Sequence, residues 1–151
     1  MNEKTGQDEK NPTKQVIYMC PGHNAPLKKY ISYFPMFDLK HLNDYDPLKD
    51  LNSFVVVLCH SMGILAAMDF LSANIDKKQV FVVAMDPQSY NEQPNTNSNT
   101  NSNVYVFARQ GRSDVQSNNL ILYDEQTHYP YQIKSVRDKI VKLIQKLITG
   151  L

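Results

Sequence analysis

The stretch FVVVLCHSMGILAAMDFL, residues 54–71, contains a serine placed where a hydroxyl could react. A run of β-branched and apolar residues leads into Cys59-His60-Ser61-Met62-Gly63, and an apolar segment rich in helix formers follows at once. A serine at such a strand-to-helix turn projects from the end of a sheet, with the N–H groups of the helix N-terminus beside it. Its neighbours two positions away, Cys59 and Gly63, are small, so strand and helix can approach. A hydroxyl becomes a useful nucleophile when a base takes its proton. The chain has four histidines: His23, His41, His60 and His128. Carboxylates that could orient such a base follow apolar runs at Asp86, Asp114 and Asp124-Glu125. Without that chemistry, Ser61 reads as a helix cap and each aspartate as a solvated turn residue.

Positioning these groups requires a sheet. Five runs are rich in Val, Ile, Phe and Tyr and nearly continuous in apolar character: Val16–Cys20, Phe54–Leu58, Val80–Met85, Val104–Ala108 and Leu120–Tyr123. Continuous runs belong to strands covered on both faces, which predicts a parallel sheet. A weaker alternating strand, Phe37–Leu42, is expected near an edge. Helices are expected over Ala25–Phe34 and Gly63–Leu71. A C-terminal helix should carry the stripe Ile133, Val136, Ile140, Ile144 and Leu147, with Gly150 as its stop. Alternating strands and helices give an α/β fold, a mostly parallel sheet of about five to six strands with helices on both faces.

The segment around Ser61 resembles the nucleophile elbow of α/β-hydrolases, Gly-x-Ser-x-Gly between a strand and a helix, with Cys59 in place of the first glycine. The resemblance covers most of the chain and implies a small serine esterase, lipase or thioesterase. By the family order of serine, acid and histidine, it gives Ser61 as nucleophile, Asp114 as acid and His128 as base. Asp86 is kept as the alternative acid, because some lipases take theirs from the earlier strand. It also implies that the oxyanion is held by the backbone N–H of Met62 and by the loop Cys20-Pro21-Gly22-His23-Asn24, through His23 or its neighbour Gly22. No metal or organic cofactor is implied. Compared with the family, the chain lacks room for two initial strands and for a helix between the last two.

Composition narrows the classes. The charge of +1 argues against nucleic acid or an anionic membrane as partner, leaving a small ester or thioester as the expected one. No apolar run is long enough to span a bilayer. Cys20 and Cys59 match neither a disulfide scaffold nor a structural zinc spacing, which suits a reduced, cytoplasmic protein. Residues 1–14 read as a disordered leader without a signal peptide, and 15–151 as one domain. The stretch QPNTNSNTNSN, residues 93–103, has no large apolar side chain and reads as a loop, not a lid. The aromatic segment ISYFPMF, residues 31–37, is the other candidate for a cover, and a shallow groove is expected near Pro21, Met62 and Tyr129. Two further readings stay open: a non-catalytic binding module on the same scaffold, and a flavodoxin-like domain, which is disfavoured because no glycine-rich phosphate loop follows any strand.

Overall fold

The computed structural model describes residues 14–91 and 103–150. The expected leader and nearly all of the Asn-rich stretch lie outside the described residues. Six strands form one sheet: β1 (Val16–Cys20), β2 (Asp38–His41), β3 (Phe54–His60), β4 (Gln79–Met85), β6 (Val104–Arg109) and β8 (Leu120–Tyr123). Their order is β2-β1-β3-β4-β6-β8, and every pairing is parallel. The weakly patterned strand, β2, is indeed at an edge. Two short strands, β5 (Tyr90–Asn91) and β7 (Val115–Gln116), pair separately.

Both faces of the sheet are covered, as continuous apolar strands require. In β3, Val56 and Leu58 face one core while Val55, Val57 and Cys59 face the other. The first face packs under α3 (Lys134–Thr149) through Val136, Ile140 and Ile144. Burying such side chains stabilises by roughly 1.5–3 kcal/mol each. The helix closes at Gly150, whose φ of 79° lets its N–H reach the Lys146 carbonyl at 2.9 Å. The second face packs under α2 (Ile64–Asn74) through Ile64, Ala67 and Leu71.

The helix expected over Ala25–Phe34 is shorter: α1 is Lys28–Ile31. The chain continues in single turns, with Tyr33, Phe34 and Phe37 each bonding three residues back. These turns bury Phe34 and Phe37 in the α3-side core, so tertiary packing overrides helix continuation. Among the described residues, no helix is long and apolar enough to cross a membrane.

Chain direction reverses in sheet order beside β1, which is followed by β2 on one side and β3 on the other. In open parallel sheets, ligands bind at the C-terminal strand ends near such a switch point. The ends of β1, β3 and β4 are also aligned in register there: Cys20 pairs with Cys59, and His60 with Met85.

Candidate functional site

Strand β3 remains extended through His60 (φ −135°, ψ 133°), and then Ser61 turns to φ 57°. A side chain in the left-handed region costs on the order of 1–3 kcal/mol and persists only where packing enforces it. Here Gly63 provides the enforcement. A Cβ on Gly63 would sit 2.2 Å from the Cys20 carbonyl oxygen, so only glycine lets α2 start against the end of β1. Ser61 begins a 3₁₀ turn, Ser61–Gly63, that runs directly into α2. Gly22 lies on its other side: a Cβ there would come 3.3 Å from Ser61 Cβ and 3.2 Å from His60 Nδ1. Cys59 fits the place of the first glycine because its side chain points into the α2-side core. Burial pushes its thiol well above the ordinary cysteine range, and the neighbouring Cys20 up to about 12. Both thiols are therefore poor nucleophiles beside the half-buried hydroxyl.

Asp114, the expected acid, does not face His128; the alternative, Asp86, does. His128 Nδ1 meets Asp86 Oδ2 at 2.5 Å. Asp86 is fully buried, follows β4 directly, and holds φ 42°. Its N–H donates to the Phe107 carbonyl at 2.6 Å, which anchors it to the adjacent β6. Asp114 is exposed and faces Arg112 instead, accepting from Nε at 2.7 Å and from Nη2 at 2.9 Å. Two guanidinium hydrogen bonds hold the Asp114 carboxyl below its usual range. Arg112 also gives Nη1 to Asp86 Oδ1 at 2.9 Å, and Nη2 to the carbonyls of Pro87 and Gln88. Asp114 thus steadies the arginine that holds Asp86. The β5–β7 pair maintains this arrangement, with Tyr90 N–H on the Asp114 carbonyl at 3.1 Å. Arg109 adds a second guanidinium, its Nε 3.2 Å from Asp86 Oδ2.

The loop carrying Asp86 is tied to the serine turn: Gln88 N–H donates to the Ser61 carbonyl at 3.1 Å. His128, expected as the base, is thereby brought to the strand ends that carry Ser61. Its ring lies 4.8 Å from that of His60, between centroids.

The expected oxyanion donors divide. Met62 lies in the first turn after Ser61, where helical N–H groups have no intrahelical acceptor, and its side chain is exposed. Gly22 does not fit the role of donor, because its N–H already donates to Tyr30 Oη at 3.1 Å. Its part is close backbone approach. His23 is exposed in the turn closed by Ala25 N–H on the Gly22 carbonyl, with Asn24 at φ 58°. A hollow of about 270 Å³ opens beside this loop, lined by Pro21, Gly22, Ala25, Leu42 and Ala66 among others.

Sequence reasoning missed His60, Tyr30, Arg109 and Arg112. A signal existed for His60. Strand periodicity puts it on the face of Val56 and Leu58, and a histidine on a buried face needs partners. No family model, curated protein or solved structure matches the chain.

Proposed function

We propose that this chain is a serine hydrolase of carboxylic esters or thioesters, with Ser61 as nucleophile, His128 as base and Asp86 as the carboxylate that orients it. The observation that carries the reading is Ser61 at φ 57° directly after β3, while the adjoining strand β4 is followed directly by an aspartate bonded to a histidine. A carboxylate bridged to two guanidiniums accepts, so His128 Nδ1 donates and Nε2 keeps its lone pair. Nε2 is then the nitrogen that takes the Ser61 proton as its oxygen attacks the acyl carbon. The oxyanion formed would draw on the Met62 N–H and a donor from the Gly22-His23 loop. The leaving alcohol or thiol takes the proton from His128, and water, activated the same way, releases the acid. This mechanism asks for no metal or cofactor, and two free buried thiols suit a reducing cytoplasm.

A binding module on the same scaffold has one observation on its side: two guanidiniums already satisfy Asp86 and weaken its pull on an imidazolium. Labelling with a fluorophosphonate separates the two readings. Wild-type protein should be phosphonylated at Ser61, mapped by peptide mass, and Ser61→Ala should not. Unlabelled wild type would end the hydrolase reading.

A further inference from the structure

His60 adjoins Ser61 in sequence, and its ring packs against Tyr30 of α1 and Tyr131. It is 3% exposed. Its Nε2 lies 2.7 Å from the His128 carbonyl oxygen, and its Nδ1 lies 2.8 Å from Tyr30 Oη. A carbonyl can only accept, so Nε2 carries the proton and Nδ1 is the acceptor. Tyr30 therefore donates its hydroxyl hydrogen to His60, and its oxygen accepts the Gly22 N–H at 3.1 Å. Every polar atom of the two side chains is used. The result is one directed chain, from Gly22 N–H to Tyr30 Oη to His60 to the His128 carbonyl. It joins the loop after β1, the helix α1, the strand carrying the serine and the loop carrying the base.

We propose that His60 is a positioning residue, which fixes the main chain of His128, and hence its ring against Asp86, relative to the Gly22 loop and Ser61. This builds on the hydrolase reading, but the geometry it asserts does not depend on turnover. The His128 ring is oriented by two contacts on different elements: Asp86 at Nδ1 and the His60 bond to its own carbonyl. The segment before the turn Pro130–Gln132 belongs to no strand or helix; Tyr123 Oη holds the neighbouring Thr127 carbonyl at 2.8 Å, and the His60 bond holds the main chain of His128 itself. Burial, the largest influence on His60, pushes its pKa down to about 4, which keeps the ring neutral and the donor direction fixed near neutral pH. Aromatic packing against Tyr30 at 5.7 Å and Tyr131 at 5.2 Å confines the ring further.

The test compares full-length His60→Phe, His60→Gln and Tyr30→Phe with wild type, each first checked for cooperative unfolding. One readout is the downfield proton resonance of the His128 Nδ1–H···Asp86 bond. The other is kcat and KM on a short activated ester. His60→Phe keeps a ring but no donor: it should lose the resonance and lower kcat by about 10²-fold, the scale of an ångström misplacement, with KM nearly unchanged. His60→Gln retains an N–H for the carbonyl and should restore much of both. Tyr30→Phe should show the same changes more weakly, and it serves if His60→Phe does not fold. A wild type without the resonance, or a folded His60→Phe that keeps it, overturns the proposal. A wild type that shows the resonance, loses it on His60→Phe, and neither cleaves esters nor takes the phosphonate keeps the positioning role and ends the hydrolase reading alone.

Discussion

His128 bonds to Asp86 at 2.5 Å across 42 residues of sequence, and the aspartate it meets is fully buried at the end of a central strand. The exposed Asp114 is one step removed, acting on Arg112. Asp86→Asn should therefore lower turnover of an activated ester by up to about 10⁴, the scale of losing the carboxylate behind a catalytic histidine. Asp114→Asn loosens a partly exposed ion pair, whose typical worth is 0.2–1 kcal/mol, and should cost at most about fivefold. Steady-state rates for both purified variants decide it. The opposite ranking would show that the Asp86–His128 pair is not the working one.

Gly63 and Gly111 predict different kinds of destabilisation. A Cβ on Gly63 meets the Cys20 carbonyl at 2.2 Å, a backbone atom that cannot rotate away. Gly63→Ala should cost at least the 1–3 kcal/mol of an overpacked core. Gly111 has φ 87° and nothing within 4 Å of an added Cβ, so Gly111→Ala meets only conformational strain, on the order of 1 kcal/mol. Urea titrations of the two variants measure the difference. Equal losses would mean that α2 does not press on the end of β1.

The strands were readable because burial on both faces leaves almost uninterrupted apolar runs, and β1 and β8 match their expected bounds. The serine turn was readable because its constraint is local: strand, small residue, Ser61, Gly63, helix. The carboxylate that meets His128 was not, because Asp86 and Asp114 each follow a strand and each fit the order of serine, acid and base. What separates them is Arg112, which reaches Asp86 from 26 residues away, and no local pattern encodes that contact. The Ala25–Phe34 helix was overextended because Tyr30, Phe34 and Phe37 satisfy helical spacing while the backbone turns to bury them.

His60 should make folding stability depend on acid. An ordinary histidine titrates near 6.5, and burial brings His60 to about 4 in the fold; the bond to the His128 carbonyl and the Asp86 charge oppose this by less, while the His128 and Lys29 charges add to it. Unfolded chains bind the proton below pH 6.5, whereas the folded protein refuses it until about pH 4. The stability associated with neutral His60 is complete above pH 6.5 and is lost as pH falls through that window, on the order of 3 kcal/mol at most. His60→Gln cannot titrate. Urea midpoints followed from pH 7.5 to 4 should fall more steeply for wild type than for the variant, and parallel curves would show that the ring is not held neutral.

The site should act on short, soluble acyl substrates without a jump in rate at an oil–water interface. Interfacial activation needs an amphipathic cover that rests on the site in water and lifts at a surface. The candidate cover among the described residues is the segment 31–37, and its aromatic side chains are committed elsewhere. Phe34 and Phe37 are buried in the α3-side core. Tyr33 packs on Tyr131 at 5.2 Å, with Arg137 5.5 Å above its ring. Lifting this segment would expose two phenylalanines, each stabilising by roughly 1.5–3 kcal/mol where it lies. Only Ile31 and Met36 of its large apolar residues face outward, too little to form a membrane-seeking face. Meanwhile the hollow of about 270 Å³ along Pro21, Gly22 and Ala66, at the loop after β1, has room for a short acyl group. Initial rates on a short-chain ester, taken from well below its solubility limit to well above it, should saturate smoothly through that limit, and Ile31→Ser should leave the curve unchanged. A sharp rise as droplets form, abolished by Ile31→Ser, would show that the segment does open and that its packing in the core is only one of its two positions.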